Sequence, residues 1–583
     1  MTALFERAQR ELLAKMLSEL SWEELLHPTG DEVCQLHLAS GHRYSFRATR
    51  RIWGNLDIDP QSLRVDDDAP PCPLQFTMHA KSELGMSPAT HATFLRELSN
   101  TLRQDVELLS LYGEATAEEM IRWPAARLHA ALNGHPKAVA NKGRLGWDVA
   151  ALEAYAPEYG QPVQLSWLAV ERQHVQSGGS GDLDERAVLR RALGTDTLRA
   201  LTERAHQMGA GPDYALIPVH PWQLQAHLAQ SFVAERVQGQ VIDLGPSGPA
   251  FLPTPSLRTL TPANGGPLDV KLSLGILNTS AWRGMPGKYI THGGAISDWL
   301  DQLVRNDRVL ADRVIVLREV SGHWVRHPLI SQCPEAPYRH HELLGALWRD
   351  NADHLAGTHR RAIMASALFH VGACGTPLAV AHARAAGVPL VRWLKRLFTV
   401  TVAPLWHALC RYGVGFIAHG QNITVILEDD IPVAMALKDF QGDLDLVDVD
   451  FPEMAALDAD IRALLPRKPP AYIVHNIQTA HFVTVLRFLS AALARSGALE
   501  ERVFYDCLYE VLQAYKSEHP DLAARHALFD LFGAAMPKVC INRVRFVIGY
   551  EDSAERPLPA RGTDMVNPLA LKSAEWTNIR QVG

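Results

Sequence analysis

His419-Gly-Gln-Asn422 and Lys438-Asp439-Phe-Gln-Gly442 enclose the stretch of this 583-residue chain that says most about its fold. Hydrophobic residues alternate with other residues on both sides of an acidic run, which is typical of two β-strands joined by a turn. The alternating positions are Ile423, Val425 and Leu427, then Val433, Met435 and Leu437, and the acidic run is Glu428-Asp429-Asp430. The pattern predicts a hairpin whose open end brings the two polar clusters together.

Asn422 and Asp439 face each other across the open end of this predicted hairpin. Mg2+ prefers one or two protein oxygens together with phosphate oxygens, so this pair could hold the magnesium of a nucleoside triphosphate. His419, three residues earlier, could contact a phosphoryl or acyl group. The alternative is structural: an Asn that caps a turn and an Asp that ends a strand.

A second set of polar segments lies upstream and has the composition of a phosphate-binding site. The segments are Ser256-Leu-Arg258-Thr259, Lys271-Leu-Ser-Leu and Asn278-Thr279-Ser280-Ala-Trp-Arg283. Residues 269–277 alternate like a strand, which puts Lys271 and Ser273 on one face and Arg283 near the end of the next turn. For each cation alone, a solvated surface position is the alternative, whereas the cluster as a whole favours an anionic ligand.

These segments resemble the IucA/IucC family of siderophore synthetases, which act without a nonribosomal peptide synthetase, and most closely the branch that forms aerobactin. The resemblance covers nearly the whole chain. Its further segments are residues 13–20, Gly134-His135-Pro136-Lys137, Asn141-Lys142-Gly143-Arg144, residues 155–159, Pro218-Val-His220-Pro-Trp222 and residues 479–487.

The resemblance implies an α+β synthetase fold with three regions, a thumb, fingers and a palm, around a kinase-like ATP cleft. Composition places the boundaries near residues 145 and 350. We therefore expect a thumb at residues 1–145, fingers with the phosphate-binding segments at 146–350, and a mainly helical palm with the hairpin at 351–583. A homodimer is also expected from the family.

The family chemistry is ATP-dependent joining of a carboxylate to an amine. By resemblance, Ser256, Arg258, Thr259, Lys271 and Arg283 hold the phosphates, Asn422 and Asp439 bind Mg2+, and His419 lies near the reacting group; Lys271, Arg283 and His419 are the expected catalytic residues. The expected partners are a citrate-derived carboxylic acid, already amidated once, and a hydroxylated lysine-type amine, N6-acetyl-N6-hydroxylysine. The product expected from the resemblance is aerobactin or another citrate-hydroxamate siderophore.

His135, Lys142 and Arg144 form a turn with one histidine and two cations, which suits a carboxylate or phosphate. Their spacing alone favours a structural turn, and the resemblance adds contact with the nucleotide or the acid. One position departs from other branches of the family: an acidic residue is expected two positions before His419, where this chain has Ile417. The departure fits the aerobactin-forming branch and leaves the magnesium ligands open.

Two other functions account for part of the pattern. The order of His419, the hairpin and Asp439 is also that of a kinase catalytic loop and its metal-binding Asp, which would make the chain a phosphotransferase. The chain lacks the glycine-rich loop and the His-Arg-Asp motif of kinases. A non-catalytic binder of citrate or siderophore would need the cations but neither Asn422 nor Asp439.

Bulk composition excludes several classes of protein. The formal net charge is −7 and no basic patch is evident, so we expect no nucleic-acid partner. Seven scattered cysteines without a Cys-x-x-Cys pair favour a reducing compartment. The first 15 residues are interrupted by charges, and no apolar run is expected to span a membrane. These features predict a cytoplasmic protein.

Local patterns predict further elements. Leu4, Ala8, Leu12, Met16 and Leu20 have helical spacing, residues 32–51 form a hairpin, residues 93–112 form a helix, and residues 394–409 form a helix kinked at Pro404. Ser177-Gly-Gly-Ser-Gly-Asp182 lacks the lysine of a phosphate loop, and we expect a surface loop there.

Overall fold

The structure is a computed structural model, and it describes residues 2–66, 69–279, 281–440, 442–550 and 560–570. Ser280 and Gln441, which belong to two of the predicted polar segments, lie outside these residues. So do residues 551–559 and 571–583 of the third predicted region. The described chain is a mixed helix and strand protein, as predicted.

The N-terminal part packs two long helices against a small antiparallel sheet. Its elements are α1 (Thr2–Trp22), β1 (Val33–His37), β2 (Arg43–Arg50), β3 (Leu56–Ile58), β4 (Arg64–Val65), α2 (Pro73–His79), α3 (Lys81–Leu84), α4 (Pro88–Tyr112), α5 (Ala117–Met120) and α6 (Ala125–Ala130). α1 and α4 confirm the predicted helices, and the antiparallel pairing of β1 with β2 confirms the hairpin at 32–51. Ser87 caps α4 by accepting from Thr90 N, and Pro88 occupies the first helical position.

The middle part is built on an eight-stranded sheet. The strands of this part are β5 (Val163–Glu171), β6 (Val175–Gly179), β7 (Tyr214–Val219), β8 (Val241–Pro253), β9 (Thr259–Pro262), β10 (Leu268–Leu272), β11 (Leu274–Asn278), β12 (Ala281–Arg283), β13 (Val314–Val316), β14 (Glu319–Val325) and β15 (Gly345–Asp350). Strands β11, β12 and β13 lie outside the eight-stranded sheet. Its helices are α7 (Val149–Tyr155), α8 (Glu185–Leu193), α9 (Thr195–Gln207), α10 (Pro221–Gln223), α11 (Ala229–Ser231), α12 (Val233–Val237), α13 (Gly287–Ile290), α14 (Gly293–Asn306) and α15 (Tyr338–His341). The order in the sheet is β6-β14-β15-β10-β9-β8-β5-β7.

The glycine-rich segment at 177–182 is not a surface loop throughout, so that prediction is wrong for its first half. Residues 175–179 form β6, the edge strand of the sheet, and pair with β14. A side chain at Gly178 would collide with the carbonyl of Thr291, and one at Gly294 would collide with Gly179. The glycines are there because the start of α14 packs directly on the strand.

The C-terminal part has these helices: α16 (Ala352–Ala356), α17 (Leu378–Ala385), α18 (Leu390–Tyr412), α19 (Ala459–Leu464), α20 (Pro470–Ile473), α21 (His475–Ile477), α22 (Arg487–Arg495), α23 (Glu501–Glu518), α24 (Ala523–Leu528) and α25 (Ile541–Ile548). Its strands are β16 (Arg360–Met364), β17 (Val414–Phe416), β18 (Ile423–Glu428), β19 (Ile431–Leu437), β20 (Leu444–Val447), β21 (Arg467–Lys468), β22 (Ala535–Cys540) and β23 (Ala560–Val566). The predicted helix at 394–409 lies within α18, which carries Pro404 in its interior.

β18 and β19 form the predicted hairpin. Ile423 pairs with Leu437 at the open end, and Asp429 and Asp430 make the turn with left-handed backbone angles, φ 48° and 62°. Asp tolerates this region better than most residues because its short side chain bonds locally. The hairpin joins β13 and β16 in a four-stranded sheet, which fixes where its open end lies.

The three largest hydrophobic cores of the described residues lie mainly within residues 8–140, within 163–348 and mostly within 296–569. The third core also includes Trp22 and Trp53 from the N-terminal part. The boundaries near residues 145 and 350 stay predictions.

One helical run has the length and apolar composition of a membrane span. Residues 470–495, from α20 to α22, meet both criteria, but 78% of their most apolar window is buried inside the protein. Arg487 within this run makes a buried ion pair with Glu19 of α1 at 2.8 Å. The run is therefore the core helix of this part of the fold, where apolar composition serves packing.

Candidate active site

A cavity of about 510 Å3 lies where the three parts meet. All the side chains predicted to bind nucleotide or metal or to act in catalysis line it: His135, Lys142, Arg144, Ser256, Arg258, Thr259, Lys271, Arg283, His419, Asn422 and Asp439. Segments separated by hundreds of residues thus surround one space. Their individual roles stay predictions, and the geometry below says what each can do.

The Ser256 segment is a tight turn between β8 and β9. Ser256 Oγ accepts from Thr259 N at 3.1 Å, and Leu257 is left-handed with φ 67°. Arg258 donates to the carbonyl of Gly284, which ties this turn to the strand end after β12. Thr259 then pairs with Lys271 across β9 and β10, so hydroxyl and ammonium lie side by side at the cavity wall.

Residues 269–277 form two strands rather than one, since β10 ends at Leu272 and β11 begins at Leu274. β11 pairs with β12 in a two-stranded sheet, and Thr279 turns between them with φ 47°. This short hairpin carries Arg283 back to the cavity, where its Nη2 donates to the Asn278 carbonyl at 2.6 Å. The guanidinium is therefore anchored on one side.

Asp439 lies between two cations. Lys271 Nζ donates to its Oδ1 at 2.6 Å, and Arg349 Nη1 donates to the same oxygen at 2.9 Å. Burial alone raises the pKa of Asp439, but Lys271 and Arg349 outweigh it and hold that pKa well below its usual range. Asp439 is therefore ionised and supplies a fixed negative charge. Its own φ of 65° turns the chain sharply after β19.

The Asn422 side chain donates to a carboxylate and to a backbone carbonyl. Its Nδ2 donates to Asp443 Oδ2 at 2.9 Å and to the carbonyl of Ile417 at 3.2 Å. Burial raises the pKa of Asp443, and neighbouring Asp439 adds to that effect. Asp443 also lines the cavity, so it brings an acidic oxygen to the position where Ile417 has none.

His419 and His135 both enter the cavity as neutral rings. Burial lowers the pKa of His419, and burial together with His419 and Lys15 lowers that of His135 to about 3. His419 Nδ1 accepts from Gln421 N and His135 Nδ1 accepts from Ala138 N. Each ring therefore carries its proton on Nε2, which can donate to an oxygen of a ligand.

Lys142 and Arg144 are engaged by the protein itself. Lys142 Nζ makes three bonds, to Asp105 at 2.7 Å and to the carbonyl and side-chain oxygens of Asn133 at 3.0 and 2.8 Å. Arg144 makes a two-pronged, buried ion pair with Glu158 at 2.9 and 2.6 Å. An ammonium has three donors, so these contacts use all the donors of Lys142.

Comparison with known proteins identifies the family of this chain. The IucA / IucC family model matches residues 126–370, and a ferric iron reductase FhuF-like transporter model matches residues 391–554. The chain is 40% identical over 576 residues to aerobactin synthase of Escherichia coli, across 98% of this chain and 99% of that protein. This chain belongs to the IucA/IucC family.

Solved structures of IucA/IucC proteins agree with the fold. Aerobactin synthetase IucC of Klebsiella pneumoniae superimposes with a TM-score of 0.87 at 38% identity, over 98% of this chain and 99% of that one. The ATP-bound aerobactin synthetase IucA of the same species superimposes with a TM-score of 0.76 at 19% identity, over 96% of this chain and 99% of that one. At this identity the agreement is one of fold.

Two charged residues next to Asp439 and Asn422 were not predicted from the sequence: Asp443, which lines the cavity, and Arg349, which contacts Asp439. Asp443 follows Gly442 directly, and an acidic residue next to a segment predicted to bind metal was a usable signal. Arg349 lies on β15, opposite Asp269 of β10, and reaches Asp439 from 90 residues away. No sequence signal pointed to Arg349, because its role depends on the pairing of β10 with β15.

A wide helical turn also supports the site. Residues 478–486 form a π-helix between α21 and α22, which places Thr484 at the cavity. His481 in this turn bonds to the carbonyl of Ala418 at 3.0 Å. The π-helix thereby holds the backbone next to His419, in keeping with the frequent occurrence of such turns at functional sites.

Proposed function

We propose that this chain is an ATP-dependent siderophore synthetase that adenylates a citrate-derived carboxylate and condenses it with a hydroxylated lysine-type amine, as an aerobactin synthase does. The E. coli relative carries that name and aligns over 98% of this chain. The observation that carries the proposal is the cavity itself, where Arg258, Lys271 and Arg283 meet Asn422 and Asp439. Cations opposite a carboxylate and an amide suit a metal-bound polyphosphate.

ATP is the nucleotide we propose for this cavity. The K. pneumoniae IucA structure, which has the same fold, is of the ATP-bound protein, and this supports the choice. Ser256 and Thr259 would bind phosphate through hydroxyl or backbone groups, and Arg258, Lys271 and Arg283 would balance its charge. We further propose that the fold works as thumb, fingers and palm around a kinase-like cleft.

The residues present fit Mg2+. Among the described residues no group of three or more His, Cys, Asp or Glu side chains forms a metal site, but Mg2+ needs only one or two carboxylates when phosphates complete its shell. Asn422 Oδ1, Asp439 Oδ2 and Asp443 would supply hard oxygen ligands. Bound there, the ion would neutralise phosphate charge.

The proposed reaction overcomes a poor leaving group. A carboxylate oxygen attacks the α-phosphorus of ATP, the bond to pyrophosphate breaks, and an acyl adenylate results. The amine nitrogen then attacks the acyl carbon, the carbon–oxygen bond to AMP breaks, and the nitrogen loses a proton. Arg283 and Lys271 would stabilise the negative charge that develops on the phosphate oxygens. The Nε2–H group of His419 would donate a hydrogen bond to an acyl or phosphoryl oxygen.

His135 is placed to contact the same ligand as His419 and Arg283, since both lie close enough to add to the effect of burial in lowering its pKa. Lys142 and Arg144 are proposed as supports of the turn that carries His135, because their charges are already neutralised by Asp105 and Glu158. A homodimer and a cytoplasmic location are proposals that rest on the family and on composition.

A product assay tests the proposal against the phosphotransferase alternative. Purified enzyme, ATP and Mg2+ would be incubated with citrate, 2-oxoglutarate or mono-amidated citrate and a panel of amines, and the products identified by mass spectrometry. Adenylation gives AMP, pyrophosphate and an amide. Formation of ADP and a phosphorylated acceptor would refute the proposal and favour a kinase-like activity.

A further inference from the structure

A second cavity of about 610 Å3 lies beside the first. Helices α1, α4 and α22 line it with side chains three or four positions apart, as Glu11, Lys15 and Ser18 are on α1. A helix face that packs only against protein is apolar, whereas this face of α1 carries three polar groups. The volume is in the range of small-molecule sites.

The two cavities share a wall. Leu132, Gly134, Pro136, Asn141 and Ser366 line both of them. The wall is thin because it is the turn that carries His135, a residue of the first cavity. A reactive group in the second cavity would therefore be next to the site proposed for the acyl adenylate.

One end of the second cavity offers a cation. Lys15 Nζ lies at the shared wall and donates to the carbonyl of His135 at 3.0 Å. The neighbouring acidic groups already have cationic partners, since Asp105 pairs with Lys142 and Glu19 pairs with Arg487. An ammonium has three donors, so Lys15 can bind a carboxylate without breaking its bond to His135.

The rest of the cavity suits a chain of methylenes with a polar end. The rings of Phe369 and Phe488 lie 5.7 Å apart on its wall, and Leu108 and Leu109 of α4 add aliphatic surface. Asn55 is 8% exposed and lines the same cavity, and its Oδ1 has no hydrogen-bond partner in the described part of the chain. A buried oxygen without a partner is costly unless a ligand supplies a donor.

We propose that the second cavity binds the amine substrate as an α-amino acid with a long aliphatic side chain, with Lys15 on its carboxylate and its α-amine directed at the shared wall. The inference rests on the proposed function and names the amine subsite for it. Asn55 would accept a hydrogen bond from the polar end of the side chain. Burial and the nearby Lys142 lower the pKa of Lys15 to about 7, so an incoming carboxylate relieves an unfavourable environment.

Lys15→Met tests the carboxylate contact with two acceptors, N6-acetyl-N6-hydroxylysine and the same compound without its α-carboxylate. Loss of a charged hydrogen bond should raise KM for the amino acid by about ten- to a hundred-fold and leave KM for the decarboxylated amine within about threefold. Lys81→Met, at an exposed lysine of α3, is the matched control.

The adenylation half-reaction separates this inference from the proposed function. With ATP and the acid but no amine, Lys15→Met should still release pyrophosphate and should have a normal KM for the acid. A raised KM for the acid would assign the cavity to the acid and overturn the inference. No pyrophosphate release by the unmodified enzyme would instead refute the proposed function.

Val371→Trp provides a second variant that does not depend on Lys15. Val371 lines the second cavity and is 37% exposed, so a larger side chain can be accommodated by the fold while it fills space in the cavity. We expect a raised KM for both acceptors with unchanged pyrophosphate release. Unchanged KM values for both acceptors in Val371→Trp and in Lys15→Met would refute the amine subsite.

Discussion

Lys142 and Arg144 differ from Lys271 and Arg283 although all four line the same cavity. The first two make ion pairs with Asp105 and Glu158, carboxylates that are not candidate metal ligands. Lys271 instead pairs with Asp439, a candidate metal ligand, and Arg283 is anchored on one carbonyl of its own hairpin.

The difference separates cations that hold the fold from cations that can hold a ligand. A buried ion pair whose partner has no other role contributes little beyond repaying its own desolvation, yet loss of one member leaves the other charge buried alone. A cation next to a candidate metal ligand is placed where phosphate charge would arrive. Substitutions in the two pairs should therefore affect different properties of the protein.

Arg144→Met should give the largest effect, and it should be on stability. The side chains of Arg144 and Glu158 are 5% and 2% exposed, and removal of one leaves a buried carboxylate without its partner. We expect a loss of about 3–5 kcal/mol in the free energy of unfolding, measured by urea denaturation. The double variant Arg144→Met/Glu158→Leu is the control and should recover most of that loss.

The pH dependence of that loss has a definite sign. Burial raises the pKa of Glu158, but Arg144 outweighs burial and holds it below the ordinary value of 4.5. The pair therefore stabilises the protein above about pH 4.5 and loses that contribution as pH falls through the lower, folded pKa. The stability difference between the wild type and Arg144→Met should shrink in acid. A difference that grew would contradict an ionised Glu158.

Arg283→Ala should lower turnover without unfolding the chain. A lost charged hydrogen bond costs about 1.5–3 kcal/mol, or ten- to a hundred-fold in kcat if it is made mainly in the transition state. Pyrophosphate release measures the effect, and Arg305→Ala, at an exposed arginine of α14, is the control. Near-normal release by folded Arg283→Ala would remove this residue from the site.

Asp439→Asn should raise the Mg2+ concentration needed for half-maximal activity by about ten- to thirtyfold, equivalent to roughly 1.4–2 kcal/mol. The change removes the charge that Lys271 and Arg349 hold in place. Asp429→Asn at the opposite end of the same hairpin is the matched control, because Asn tolerates the left-handed angle there. An unchanged Mg2+ dependence would make Asp439 a structural strand-end residue.

Local patterns in the sequence predicted individual strands and helices well. They did not predict contacts between residues that are distant in the chain. Alternation in β18 and β19 and the helical spacing in α1 are visible within a few residues. Asp105 and Glu158 became partners of Lys142 and Arg144 only through packing of α4 and the turn after α7. The segment at Ser177 was misjudged because glycine content indicates a loop, whereas here it permits close packing of α14 on a strand.

The candidate site was predictable as a set of residue types, but their pairing was not. The sequence placed Asn422 and Asp439 at the same end of the hairpin, and both line the cavity, but it did not indicate that Asn422 donates to Asp443, four positions after Asp439. The contact between Asn422 and Asp443 depends on the left-handed turn at Asp439, which no local pattern signalled.

The smallest effect concerns which acid the cavity accepts. Free citrate carries more carboxylates than a citrate already amidated once, and extra negative charge near Asp439 and Asp443 requires cations. Lys142 and Arg144 cannot provide them because Asp105 and Glu158 already neutralise both. We therefore expect mono-citryl hydroxylysine to exceed free citrate by about tenfold in kcat/KM, a difference of about 1.4 kcal/mol in transition-state binding.

Asp443→Asn should narrow that ratio of kcat/KM values, because it removes one source of repulsion. Competition between the two acids, followed by mass spectrometry, measures it. A tenfold preference for free citrate would reject the aerobactin-type substrate while leaving the family assignment in place.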